Sequence, residues 1–451
     1  MEKNLTTGSV WKTVIYFSLP YFLSYFLQTL YGMADLFIIG RFNGVESTTA
    51  VSVGSQVMHM LTVMIVGLAM GSTVLIGRAV GAGQKERVRA VIGNTVTLFV
   101  CLSLVLTAGL LLAVRPIVSV ISTPPEAVAG TVSYLTVCFM GIPFITAYNI
   151  ISSVFRGMGD SKSPMYFIAI ACATNILLDL LFIGVWHLGP MGAALGTTLS
   201  QTVSVAVSLF FITGGPSGLK LSLQDLKPRG EILGSLLKVG VPVAVQDGFI
   251  QISFIVITIF ANRRGLDDAA AVGIVEKIIG VLFLVPSSML STVSALGAQN
   301  IGAGRHDRAR LTLRYAILIA ASFGAAAAVS MQFVSGPVVG LFTDNTHVIS
   351  LGRQYLSGYV WDCLLAGIHF CFSGYFCAYG LSGISFLHNC ASILCMRIPL
   401  AYLASTRFPD TLFPMGLAST AGSGLSAVIC LIVFLLMNRR DRVNRRRKET
   451  A

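Results

Sequence analysis

Residues 14–40 read VIYFSLPYFLSYFLQTLYGMADLFIIG. The run holds no lysine or arginine and a single carboxylate, Asp35. About 20 apolar residues in a helix cross the hydrocarbon of a bilayer, so this stretch is long enough to span one. Eleven more blocks of the same kind follow, at 48–77, 88–114, 131–155, 164–186, 191–213, 232–262, 269–298, 309–335, 350–379, 384–405 and 412–438. They are too long and too evenly apolar for the alternating segments of a barrel, so helices carry the spans. The whole composition agrees. Across 451 residues, hydrophobic types make up 55% and Asp, Glu, Lys and Arg only 11%, with a mean hydropathy of +0.80. Soluble domains average roughly 45–50% and 25%. So few charges cannot cover a soluble surface, and the same numbers exclude collagen, a disordered chain and a disulfide-stapled module. The expected fold class is an all-α membrane protein with twelve transmembrane helices.

The net charge of +12 suggests nucleic acid until the charges are placed along the chain. Alternate gaps between blocks are rich and poor in Lys and Arg. One side collects 23, seven of them in the Arg439–Lys448 tail, and the other collects 6: Arg41, Arg115, Arg263, Arg264, Arg353 and Arg407. The excess marks the cytoplasmic side, which puts both termini in the cytoplasm and the protein in the cell (inner) membrane. Anionic lipid accounts for the basic tail, and no nucleic-acid partner is expected. The first block is too long for the apolar core of a cleavable signal and no small-residue cleavage site follows it. The nine cysteines all fall in apolar blocks without ligand spacing and read as packing residues.

Self-comparison is the most informative step. Shifted by 221, Gly81-Ala82-Gly83 falls on Gly302-Ala303-Gly304, Ala50-Val51 on Ala271-Val272, Gly44 on Gly265, Phe155 on Phe376 and Gly159 on Gly380. With small slips, Pro20 meets Pro242 and Pro190-Met191-Gly192 meets Pro414-Met415-Gly416. Each unit holds six spans, an even number, so the second starts on the same side as the first. Two six-helix lobes are therefore expected as a parallel repeat about an axis along the membrane normal. The boundaries expected are 1–213 for the N-terminal lobe, 214–231 for a cytoplasmic linker, 232–438 for the C-terminal lobe and 439–451 for the basic tail. Transporters built from such repeats bind substrate between them near the midplane and rock one against the other.

Apart from basic residues in the opening turns of blocks (Arg89, Lys238, Arg310, Arg314 and Arg353), which count with the adjacent gaps, seven charged residues fall inside the blocks: Asp35, Asp179, Asp247, Glu276, Lys277, Asp362 and Arg397. Each costs about 2.5–3.5 kcal/mol at a helix centre on insertion scales, so a partner or a cavity is expected beside it. Asp35 stands out, with Gln28 and Tyr31 on the same helical face. Asp179 lies one turn after Asn175, so carboxylate and amide can converge, and Thr197 in the next span can add a hydroxyl. Under the shift, Asp35 meets Val256, and Asn175 and Asp179 meet Met396 and Leu400. The acidic cluster is private to the first half: symmetric scaffolding with asymmetric chemistry, as an ion-coupled transporter needs. Asp247, Glu276 and Asp362 are the second-lobe candidates. Pro20 removes a backbone hydrogen bond inside the first span and marks where that helix can bend. Absences count too. There is no Gly-Lys dipeptide and hence no phosphate-binding loop of that kind, no H-E-x-x-H, and no histidine grouping at ligand spacing. No cofactor, resident metal or catalytic constellation is expected, and the protein reads as a transporter and not an enzyme.

The residues resemble those of the multidrug and toxic compound extrusion (MATE) transporters, over nearly the whole chain. The likeness rests on Trp11-Lys12, Leu19-Pro20, Gly77-Arg78 before Gly81-Ala82-Gly83, Phe155-Arg156-Gly157-Met158-Gly159-Asp160, Asn175-x3-Asp179 and Gly192-Ala193-Ala194-Leu195-Gly196-Thr197, in that order. The resemblance implies a bulky cargo: organic compounds, often cationic and amphipathic, exchanged for H+ or Na+ by a protein acting as a monomer in the lipid bilayer. In the bacterial and archaeal branch it implies that Asp35, Asn175, Asp179 and Thr197 form the cation-coupling site. Gln28 and Tyr31 then line the first-lobe cavity, and Pro20 is the bending proline. The alternative is a flippase for lipids or lipid-linked oligosaccharides from the same broad superfamily, which a strongly basic central cavity would favour.

Overall fold

The computed structural model of the protein describes residues 4–214 and 222–449, without side chains for 213–214 and 440–449. Residues 215–221 of the expected linker and the side chains of most of the basic tail therefore lie outside the described residues. The chain is helical, with no strand among the described residues. The first half comprises α1 (Val10–Phe42), α2 (Val45–Gly81), α3 (Lys85–Val120), α4 (Pro125–Met140 continued by Ile142–Gly157), α5 (Lys162–Val185) and α6 (Gly189–Ile212). The second comprises α7 (Gly230–Arg264), α8 (Leu266–Gly302), α9 (His306–Gly340), α10 (Thr346–Ala378), α11 (Ser382–Arg407) and α12 (Phe413–Arg439). Eleven of these are long and apolar enough to cross a membrane, and the two pieces of α4, bent by 49°, make the twelfth.

Local chemistry explains the breaks. Pro143 lacks an amide hydrogen, so α4 cannot carry an unbroken ladder past Gly141. The bare Cα of Gly141 leaves room for Thr198 of α6, whose Oγ1 would lie 2.6 Å from a Cβ placed there. The Gly-Ala-Gly turns are helix C-caps. At the end of α2, Gln84 donates to the Ala79 carbonyl at 3.0 Å and Gly83 to that of Val80 at 3.0 Å; at the end of α8, Arg305 donates to Asn300 at 2.8 Å and Gly304 to Ile301 at 3.0 Å. Gly83 and Gly304 adopt φ of 69° and 70°, a region open to glycine at little cost. Gly159 and Gly380 close α4 and α10 in the same way. Repeat-related residues thus take the same backbone shape. Next in the chain, the Asp160 carboxylate accepts from the amides of Lys162 at 3.0 Å and Ser163 at 3.3 Å, which starts α5.

The halves exchange their leading helices. The first turns of α1 (Val10, Val14, Phe17, Tyr21) are buried in a cluster with Met289, Val293, Leu313 and Phe376 of the second half, while Ile38 and Ile39 of the same helix are buried in the first half. Reciprocally, Leu236 at the start of α7 packs among Ile76, Phe155 and Phe167 of the first half, and Ile257 and Ala261 pack in the second. Pro20 lies within the part of α1 packed on the second half, between Phe17 and Tyr21, and Pro242 within the part of α7 packed on the first, between Val239 and Val243. The seam itself is built on small residues. Gly67 lets Ala244 of α7 approach to 2.9 Å from a would-be Cβ, and Gly71 and Gly240 lie directly against the backbones of Leu236 and Leu68. Between membrane helices, where apolar burial gives no net drive, such close van der Waals approach holds the contact.

Candidate functional site

The first-half acids meet inside the bundle. Asp35 comes from α1, Asn175 and Asp179 from α5, Thr197 from α6. Asn175, Asp179 and Thr197 all converge on the Asp35 carboxyl, and Thr197 Oγ1 donates to Asp35 Oδ2 at 3.3 Å. Asp35 is 5% exposed, Asn175 and Asp179 0%. No cationic side chain is among the groups acting on either acid. Asp35 Oδ1, both oxygens of Asp179 and both amide atoms of Asn175 have no hydrogen-bond partner. Buried polar atoms of this kind ordinarily find one. Two carboxylates at such close quarters also repel unless something positive lies between them. Six oxygens, four of them carboxylate, are a donor set suited to a proton or a small hard cation.

Two features sharpen the site. Asp179 is followed at once by a π-helical stretch, Leu180–Val185, a distortion common beside functional groups. Gly196 lies directly against Asp179 Oδ1, so that a Cβ there would occupy the carboxylate's place. The Gly192-x3-Gly196 pair reads in sequence as a simple packing contact; in space Gly196 makes room for the acid. Nothing local in the sequence marks that role. Tyr31 stands next to Asp35, Tyr148, Cys172 and Cys138, and Gln28 beside Tyr148. Tyr134, Tyr148, Cys138 and Cys172 around this site are not singled out by any sequence motif. α1 runs through Pro20 as one helix, and the carbonyl of Pro20 accepts from Ser24 Oγ at 2.7 Å.

The second-half candidates divide. Glu276 and Asp362 face Arg397, whose guanidinium lies 4.4 Å over the Phe254 ring and donates to Tyr359 OH at 2.8 Å. Arg397 ends a second π-helical stretch, Ile393–Arg397. Here the half supplies its own positive charge. Asp247 stands apart from that group, at the seam against Gly67 of α2. Lys277 points outward and is exposed while its neighbour Glu276 turns inward. Among the described residues no three His, Cys, Asp or Glu side chains gather into a metal site.

Twelve spans in two repeated halves, with a buried acid pair that has no cation beside it in the first half, define a polytopic membrane transporter. The MatE family model matches residues 20–181 and, a second time, 242–403. The chain belongs to the MatE family, the multidrug and toxic compound extrusion transporters, and is not an enzyme. It is 29% identical over 366 residues to "Probable multidrug resistance protein YoeA" of Bacillus subtilis (strain 168), covering 80% of this chain and 79% of that one. It is 25% identical over 368 residues to "Multidrug export protein MepA" of Staphylococcus aureus (strain MSSA476), covering 81% of each. Its fold is similar, with a TM-score of 0.90 at 23% identity over 98% of both chains, to a solved structure described as the outward-facing conformation of a multidrug resistance MATE family transporter of the MOP superfamily.

Proposed function

We propose that the protein is a secondary active antiporter that exports organic, often cationic and amphipathic compounds in exchange for H+ or Na+. The observation that carries this reading is the convergence of Asp35, Asp179, Asn175 and Thr197, buried and without a counter-cation of their own. The names of the relatives, multidrug resistance and multidrug export, support the cargo class. The end of the bundle bearing the Gly-Ala-Gly turns, rich in Lys and Arg, faces the cytoplasm in this reading. The lobes are residues 1–213 and 232–438, working as a monomer in the cell membrane.

A cation arriving from outside takes up the place between Asp35 and Asp179 and relieves their repulsion. Asp35 sits on a helix whose first turns belong to the other half, so a change in how α1 is held near Asp35 is felt across the seam, with Pro20 as the point of bending. Loss of the negative charge weakens the attraction for a cationic cargo, which leaves as the cation enters. Asp35→Asn removes one carboxylate while keeping its shape. It is expected to reach the membrane in normal amount and to lose gradient-driven export of a cationic dye from vesicles. Export at the parental rate would show that Asp35 is not the coupling acid.

A further inference from the structure

The basic end of the bundle is closed by contacts that come in pairs. Arg78 on α2 donates from Nε and Nη2 to the carbonyl oxygen of Ala378 on α10, at 2.9 and 2.6 Å. Gln299 on α8 donates from Nε2 to the carbonyl oxygen of Gly157 on α4, at 3.0 Å. The donors stand 221 residues apart in the chain, and so do the acceptors. Each bond runs from one half to the other, and in opposite directions. The backbone beneath repeats the exchange: a Cβ on Gly81 would strike the Gln299 carbonyl, and one on Gly302 would strike that of Arg78. Gly77 and Ala298, again 221 apart, face one another, with a Cβ on Gly77 falling 3.1 Å from that of Ala298. The local two-fold axis passes between them.

The chemistry of the two bonds is matched in place but not in strength. Both acceptors are carbonyls in the last turn of a helix, which lack a partner along the chain and carry partial negative charge. Arg78 brings a full charge and two bonds, Gln299 one neutral bond, and charge-assisted bonds are roughly twice as strong. Gln299 Oε1 in turn accepts from the amide of Leu5 at 3.4 Å, in the segment that leads into α1. The same residue therefore joins the closed end to the helix that carries Asp35.

We propose that Arg78 and Gln299 form a reciprocal latch that holds the cytoplasmic mouth shut, and that both bonds are released each time the transporter opens inward. This rests on the antiporter reading above, in which the two lobes rock so that the central cavity opens to one side of the membrane at a time. Gly81 and Gly302 let the two backbones lie in contact, so closure is tight, and any side chain at either position wedges the mouth.

Side-specific thiol labelling tests the latch without any cargo. Ser291 lies within the closed end, bonded to Tyr25 OH at 2.8 Å, and lines a cavity of about 20 Å³ with Arg156, Thr73 and Ser153. In Ser291→Cys, an impermeant reagent applied from the cytoplasmic face of inside-out vesicles should react slowly; adding Arg78→Ala should speed it by roughly tenfold, as expected for loss of a charge-assisted bond. Gln299→Ala should act in the same direction but less, and Gly81→Val, which leaves both donors intact, should act like Arg78→Ala. Unchanged labelling in all three, or an effect of Arg78→Ala alone, overturns the reciprocal latch. Labelling is counted above that of the parent, whose nine cysteines form no disulfide.

A second arm locks the mouth. Gly77→Cys with Ala298→Cys places two Cβ atoms near the separation of about 3.5–4.5 Å that a disulfide needs. Oxidation should stop dye export and reductant should restore it, which also shows that the variant folds. Export that continues with the bond formed, or a bond that does not form, overturns the proposal. If the parent itself exports no dye, the exporter reading fails while the labelling result still decides the latch.

Discussion

At the scale of single residues the first-half site turns on volume as much as on charge. Asp179 is fully buried, its two oxygens are unpartnered, and it is kept in place partly by the absence of a side chain at Gly196. Gly196→Ala is therefore expected to push the Asp179 carboxylate away from Asp35. Overpacking of this kind costs about 1–3 kcal/mol. The variant should fold with reduced thermal stability and lose most cation-driven export, whereas Gly192→Ala, in the same stripe but away from Asp179, should keep far more. Equal export by the two variants would remove Gly196 from the site. Thr197→Val tests the weaker arm. It deletes a single bond of 3.3 Å to Asp35, which is worth about 0.5–1.5 kcal/mol. The expected outcome is a shift in the concentration of coupling ion needed for half-maximal export, with the maximal rate retained.

At the scale of elements, the ends of helices carry the polar bonds that the spans cannot. Arg264 closes α7 by pairing with Asp268 at 2.7 Å and donating to the carbonyls of Ser405, Phe408, Pro409 and Thr411, which ties the end of α11 and the loop after it to α7. Both partners of the ion pair are largely buried, at 7% and 12% side-chain exposure. Removing one partner of a buried pair costs about 3–5 kcal/mol, because the other is left alone. Arg264→Ala should lower the thermal stability of the purified protein markedly, and a melting temperature within a degree or so of the parent's would contradict the clasp. Its placement in a gap between blocks was legible in the sequence; its five partners were not, since they lie more than a hundred residues away, Asp268 excepted. The linker behaves similarly. Asn94 of α3 donates to the carbonyls of Asp225 and Lys227 at 3.4 and 3.3 Å and accepts from the Arg229 amide at 2.6 Å, while Thr97 donates to the Leu226 carbonyl at 2.7 Å. The described part of the linker is thus strapped to the first half. Asn94→Ala with Thr97→Val should speed tryptic cleavage after Arg229, whose amide Asn94 holds, and an unchanged rate would argue that the strap holds by other contacts.

At the scale of the whole molecule, the repeat is the organising fact, and it is used twice over. The halves share a backbone plan, down to matched caps at Gly83 and Gly304, and they exchange α1 and α7 across the seam. They differ in how buried charge is balanced. The first half leaves two acids without a cation, while the second sets Arg397 beside Glu276 and Asp362. The coupling reaction is accordingly expected in the first half alone. Arg397→Gln should lower stability by leaving two buried acids without the cation they share, yet leave the coupling-ion dependence of whatever export remains unchanged. A shift in that dependence would place a second cation site in the second half. Orientation is tested apart from activity: reporters after Lys227 and at the basic tail should report the same side of the membrane, and a reporter next to Arg264 the opposite one.

The twelve spans and the parallel repeat were legible in the amino-acid sequence, and so was the presence of Asp35, Asn175 and Asp179 as polar groups within apolar spans. Each of these is written in local pattern: apolar length, self-similarity, and charge where the low dielectric makes charge costly. Folding in three dimensions was needed to bring Asp35 and Asp179 together, to set Gly196 against Asp179, to hold Asp247 apart from Glu276 and Asp362, and to let Arg78 and Gln299 each reach across to the other half. The physical reason is that these depend on the distance between helices far apart in the chain, and on what a missing side chain leaves open. Neither quantity leaves a mark on the residues nearby in sequence.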